Sequence, residues 1–156
     1  MECKKTICVT VINEHSVLAR VSGLFAGRGY NIESLSVAPV PNSELSYITI
    51  TTNGNLKVFE QIVKQLHKLI PVLSVVESEQ VLQREMALVK IPTKQPLSEI
   101  EALARAYNGI IAEVNEKYII ISANDTPERI DSFLKAVEIF KPKEMIRSGA
   151  VAIERT

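Results

Sequence analysis

The chain has 156 residues, 46% of them hydrophobic, with 18 basic and 18 acidic side chains that cancel to a formal charge of zero. That length holds one medium domain or two small ones, and the apolar content excludes wholesale disorder. The balanced charge offers no field to draw in nucleic acid or an anionic membrane. Cys3 and Cys8 are the only cysteines and lack the Cys-x-x-Cys spacing of a metal or redox motif. They read as reduced thiols of a cytosolic protein. No apolar run approaches the roughly 20 residues that span a bilayer. The opening Met-Glu-Cys-Lys-Lys lacks the apolar region of a secretory signal, so a cytoplasmic location is expected.

Thr6 to Ile12 alternates, with Ile7, Val9 and Val11 on one face, which predicts a strand. After the polar run Asn13-Glu14-His15-Ser16, the residues Val17, Leu18, Val21, Leu24 and Phe25 recur at helical spacing. Arg28 falls in the last turn, and Gly29 supplies the left-handed residue that commonly ends a helix. Gly23 and Gly27 are read as letting this helix lie close on its sheet. Asn31 to Ala38 predicts a second strand, stopped by the turn Pro39-Val40-Pro41-Asn42. Leu45 to Thr52 predicts a third, ended by Asn53-Gly54-Asn55. Leu56, Phe59, Ile62, Val63, Leu66 and Ile70 mark a second helix running up to Pro71, and Val72 to Val76 begins a fourth strand.

The same order then recurs beyond the polar Glu77-Ser78-Glu79-Gln80. Met86 to Ile91 is a strand ended by Pro92, followed by a helix with Leu97, Ile100, Leu103, Ala104 and Tyr107 on one face. Ile110 to Val114 and Lys117 to Ala123 form a hairpin about Asn115-Glu116. Asp125-Thr126-Pro127-Glu128 opens a last helix, and Met145 to Ile153 supplies the final strand. The fold class is α+β, with two ferredoxin-like βαββαβ units in tandem over residues 1–80 and 81–156. The boundary is expected near 78 to 84, with Glu77, Glu79, Arg84 and Glu85 as a solvated linker. Apolar residues on both faces of the first strand, Cys8 and Ile12 as well as Ile7, Val9 and Val11, point to a second packed surface. A homodimer is the expected cover.

The first loop and helix start carry the chemistry. Free N–H groups at a helix N-terminus suit a carboxylate, and the side-chain amides of Asn13 and Asn31 can accept from an ammonium. A free amino acid needs both. Asn13 and Asn31 also suit a helix cap and a turn, and His15 a solvated loop position. No ligand spacing joins His15 to His67, so a metal site is not expected, and His67 instead complements the dipole of the second helix. An acylphosphatase-like enzyme would require a glycine-rich loop where this chain has Asn13-Glu14-His15-Ser16. RNA binding would require aromatics on adjacent central strands, and Tyr47 and Tyr118 are isolated by comparison.

Three runs carry a resemblance: Asn13-Glu14, Val17 through Phe25 (Val-Leu-Ala-Arg-Val-Ser-Gly-Leu-Phe), and Arg28-Gly29-Tyr30-Asn31-Ile32-Glu33-Ser34-Leu35. Val37-Ala38-Pro39, Gln61 through Leu69, Arg84-Glu85 before Leu88-Val89-Lys90, and Arg147-Ser148-Gly149 extend it over nearly the whole chain. Residues 6 to 80 resemble an ACT domain, and the chain is similar to the small regulatory subunits of acetolactate (acetohydroxyacid) synthase. The resemblance implies effector binding and dimerisation through the ACT domain (1–80), followed by the family's C-terminal ferredoxin-like domain (81–156). It also implies a non-catalytic chain that activates a separate catalytic large subunit in branched-chain amino acid biosynthesis. That partner would use thiamine diphosphate, magnesium and FAD, and this chain would hold no cofactor. Valine, the typical feedback inhibitor, would bind between chains. Asn13, His15, Ser16, Val17 and Leu18 match one side of the site, Asn31 and Ile32 the other, and Ala38 a position that influences it. The family often has glycine where this chain has Ser16, whose Cβ would crowd the carboxylate. The alternative is a free-standing ACT-domain amino-acid sensor that regulates another target.

Overall fold

A computed structural model describes residues 3–77, 79 and 81–156. Met1 and Glu2, and from the polar linker Ser78 and Gln80, lie outside the described residues. The chain divides into two compact units, Met1–Leu82 with Ala150–Thr156, and Gln83–Gly149.

The first unit runs β1 (Cys3–Ile12), α1 (Val17–Gly27), β2 (Ile32–Pro39), β3 (Leu45–Gly54), α2 (Leu56–His67) and β4 (Val72–Glu77). Its antiparallel sheet has the order β2-β3-β1-β4, which leaves β2 and β4 at the edges. Ile7, Val9 and Val11 of β1 pair with Ile50, Ile48 and Ser46 of β3. The two isoleucines, with the three β1 residues, face α1 and α2. Val17, Val21, Leu24 and Phe25 from α1, with Phe59, Ile62 and Leu66 from α2, complete that core. Burying each such side chain stabilises the unit by about 1.5 to 3 kcal/mol relative to exposure. The α1 helix ends as its sequence predicts. Gly29 has φ 68°, and the Tyr30 N–H bonds back to the Phe25 carbonyl at 2.9 Å, the six-to-one closure of a left-handed cap.

Three expectations are corrected here. A Cβ at Gly23 or Gly27 would meet nothing within 4 Å, so both glycines look outward and do not draw α1 onto the sheet. The second helix stops at His67, and Ile70 lies 92% exposed beyond it. The second packed surface exists, but later parts of the same chain cover part of it. Cys8, on the opposite face of β1 from the main core, packs against Val81 and Ala152, with Tyr47 and Val76 around them. The Ala152 N–H donates to Thr49 Oγ1 at 3.4 Å. Residues 150–156 therefore belong to the first unit and not, as the sequence boundary implied, to the second.

The second unit is built on β5 (Val81–Pro92), α3 (Leu97–Ala106), β6 (Ile110–Val114), β7 (Tyr118–Asp125), α4 (Pro127–Ala136) and β8 (Glu144–Glu154), in the sheet order β6-β7-β5-β8. Ala87, Val89, Ile91, Ile119 and Ile121 meet Ile100, Ile130 and Phe133 of the helices. Thr126 caps α4 by accepting from the Arg129 N–H, and Pro127 sits at the first helical position. At Gly109 a Cβ would stand 2.4 Å from the Ser122 carbonyl oxygen, so only glycine lets the chain leave α3 so close to β7. The linker reading of Arg84 and Glu85 is overturned, because β5 begins at Val81 and both residues are in the strand. Glu85 is 6% exposed and grips Arg147 of β8 with both oxygens, at 2.7 and 2.9 Å, while Arg147 also reaches Asp131 of α4 at 2.5 Å. The bond to Glu85 chiefly keeps the guanidinium even more firmly protonated than usual. A hydropathy pattern cannot see a carboxylate made buriable by a partner 62 residues away.

Candidate functional site

The loop Asn13–Ser16 connects β1 to α1 and is exposed throughout. The Asn13 N–H donates to the Glu44 carbonyl at 2.8 Å, which fixes the loop against the β2–β3 turn. Ser16 is the residue at the helix cap, in the left-handed region with φ 70° and ψ 2°. Its side chain makes no capping hydrogen bond. Asn13 is thus not the cap, and its amide stays available. The Arg20 N–H bonds to the Ser16 carbonyl, so by helix geometry Val17, Leu18 and Ala19 have N–H groups without an intrahelical acceptor. A side chain in the left-handed region costs energy that glycine does not, so Ser16 is held there at a cost.

The proposed site residues do not share one environment. Asn13, His15 and Ser16 are exposed, and Leu18 is 39% exposed beside the helix start. Val17 is 5% exposed and sits in the core, so only its N–H can reach a ligand and its isopropyl group cannot. Asn31 is exposed, and its carbonyl accepts from Thr52 Oγ1, while Ile32 is half-buried against the core. Ile12 pairs with Leu45 and Ile32 with Thr52. Those two β3 residues are seven positions apart, so the helix start and Asn31 lie at opposite ends of the sheet, about 23 Å apart. One chain cannot bring them together.

Ala38 lies elsewhere again. It pairs with Tyr47 and looks out on the open face of the sheet, where it lines a cavity of about 740 Å³. Ser36 and Thr49 share its floor, Val40 and Pro41 close one end, and Val151 and Ile153 form a wall. Two of its polar groups are already engaged. Thr49 accepts from Ala152, and Tyr47 is hydrogen-bonded to Cys8. Burial pushes the Cys8 thiol up from its ordinary value, and the Tyr47 phenol is raised for the same first reason. Both stay protonated at neutral pH. No pattern in the sequence reveals this cavity, because Val151 and Ile153 line it from far along the chain.

Two helices on one face of a β2-β3-β1-β4 sheet, followed by a second unit of the same plan, define an ACT-type regulatory fold with a ferredoxin-like companion. Residues 7–74 match the model of the AHAS small subunit-like ACT domain, and residues 84–156 that of the small subunit of acetolactate synthase. The chain belongs to the acetolactate synthase small-subunit family. It is 40% identical to the acetolactate synthase small subunit of Buchnera aphidicola, over 97% of this chain and 99% of that one. It is also 40% identical to the isozyme 3 small subunit of Escherichia coli, over 97% and 96%. The crystal structure of the Thermotoga maritima small subunit superimposes with a TM-score of 0.87 at 31% identity, covering 99% of this chain and 98% of that one.

Proposed function

We propose that this chain is the non-catalytic regulatory subunit of a cytoplasmic acetolactate synthase in branched-chain amino acid biosynthesis, and that it works as a homodimer. It raises the activity of the catalytic large subunit and transmits feedback inhibition by valine. Thiamine diphosphate, magnesium and FAD belong to that larger partner, where pyruvate is decarboxylated and joined to a second 2-oxo acid.

The observation that carries the reading is the separation of the two half-sites along β3. β2 is an edge strand, so it offers a row of unpaired backbone groups. Two copies pairing β2 antiparallel about a two-fold axis would set Asn31 and Ile32 of one against the Asn13–Leu18 end of the other. In that junction the N–H groups of Ser16 to Leu18 hold the valine carboxylate. The amide oxygens of Asn13 and the partner's Asn31 accept from the ammonium. Leu18 and the partner's Ile32 flank the isopropyl group. A ligand held by both chains biases their mutual geometry, and a coupling of about 1 to 3 kcal/mol suffices for regulation.

The test mixes the purified chain with the synthase large subunit and follows acetolactate formation with and without valine. The chain should raise the rate, and Asn31→Ala should keep that activation while weakening inhibition by valine. No rise with the unaltered chain overturns the subunit reading. Undiminished inhibition of the Asn31→Ala assembly overturns the site.

A further inference from the structure

Resting on the valine reading above, we infer that Glu44 is a specificity-determining residue of the site, the carboxylate that selects ligands bearing an ammonium group. Two neutral amide oxygens accept from an ammonium or from a hydroxyl alike, so they distinguish an amino acid poorly from a hydroxy acid of the same shape. A fixed negative charge separates the two. Glu44 is placed to supply it. Its carbonyl holds the Asn13 N–H at 2.8 Å, which sets its backbone directly beside the residue that would receive the ammonium. The turn that carries it is itself tied down: the Val40 N–H donates to the Leu45 carbonyl at 2.8 Å, and Ser43 Oγ accepts from the Leu45 N–H at 3.0 Å. Among the described residues the Glu44 side chain has no ion pair and no hydrogen bond, unlike Glu33, Glu85 and Glu113. Glu44 is exposed and, opposite Asn13 where the β1–β3 register continues past Ile12 and Leu45, shares that residue's face of the sheet.

Calorimetry on the full chain tests this with two probes, valine and 2-hydroxy-3-methylbutanoate, which differ only in ammonium against hydroxyl. Glu44→Gln should weaken valine about fivefold, the weight of a partly shielded ion pair, and leave the hydroxy acid unchanged or slightly tighter. Glu14→Gln removes the same charge from the neighbouring loop position and should shift valine less than about twofold. Equal weakening of both probes by Glu44→Gln, no change in either, or an equal effect of Glu14→Gln overturns the assignment while leaving the valine site standing. Failure of the unaltered chain to bind valine at all overturns the site and this assignment with it.

Discussion

At the scale of single residues, the second unit rests on a buried carboxylate besides Glu85. The side chain of Asp125 is 6% exposed and accepts from Arg129 Nε at 2.6 Å, Asn108 Nδ2 at 3.0 Å and the Thr126 N–H at 2.8 Å. Arg129 in turn lies over the Tyr107 ring and donates to the Ala106 carbonyl, so the network ties the end of α3 to the start of α4. Burial pushes the Asp125 carboxyl up, but the bonds from Arg129, Thr126 and Asn108 outweigh it and hold the group below its ordinary value of 3.8. A lowered folded value means stability that is fully present above about 4 and lost as pH falls through the lowered value. Asp125→Asn should therefore cost about 1 to 3 kcal/mol at neutral pH. The gap between variant and parent should close as thermal unfolding is followed down toward pH 2. A gap that stays constant with pH would mean that the charge contributes nothing. Ser16 is the opposite kind of residue: it is exposed, lies in an unfavourable backbone region, and its side chain makes no capping hydrogen bond, although its carbonyl accepts from the Arg20 N–H.

At the scale of elements, the end of β8 acts as a strap across the open face of the first sheet. Ala152 is 3% exposed above Cys8, which is 1% exposed. On a Cys3→Ser background Cys8 is the single thiol, and Ala152→Glu should raise its rate of modification by a thiol reagent at least about tenfold by opening the cover. An unaltered rate would mean that something other than the strap protects it. Most elements were legible from periodicity and punctuation: the α1 stripe, the Gly29 stop and the Thr126-Pro127 start all stand where the sequence put them. The misses share one physical origin. Glu85 looked solvated because Arg147 is remote in sequence, Gly23 and Gly27 looked packed because propensity says nothing about which face a glycine takes, and the strap was invisible because Ala152 and Thr49 are 103 residues apart. Of the candidate site, the loop and the start of α1 stand where the sequence put them, and the burial of Val17 and the cavity beside Ala38 were not legible.

At the scale of the whole molecule, a site divided between two copies makes a prediction that no single-chain site shares. Asn13→Ala and Asn31→Ala chains should each lose valine binding alone. Refolded together as a one-to-one mixture they should recover about a quarter of the parent's sites, because half the dimers are mixed and each mixed dimer keeps one intact junction of two. Titration calorimetry on the mixture reads that stoichiometry, and zero recovery would place both asparagines in one chain's site. The strap has a consequence in time as well. A ribosome delivers β1 through β4 long before residues 150–156, so the nascent first unit waits with Cys8 and Tyr47 only partly covered until that segment is made. Its completion is a long-range closure, slow by the rule that distant pairings fold late. The emerging polypeptide therefore cannot finish its amino-terminal half before residues 150–156 have followed it.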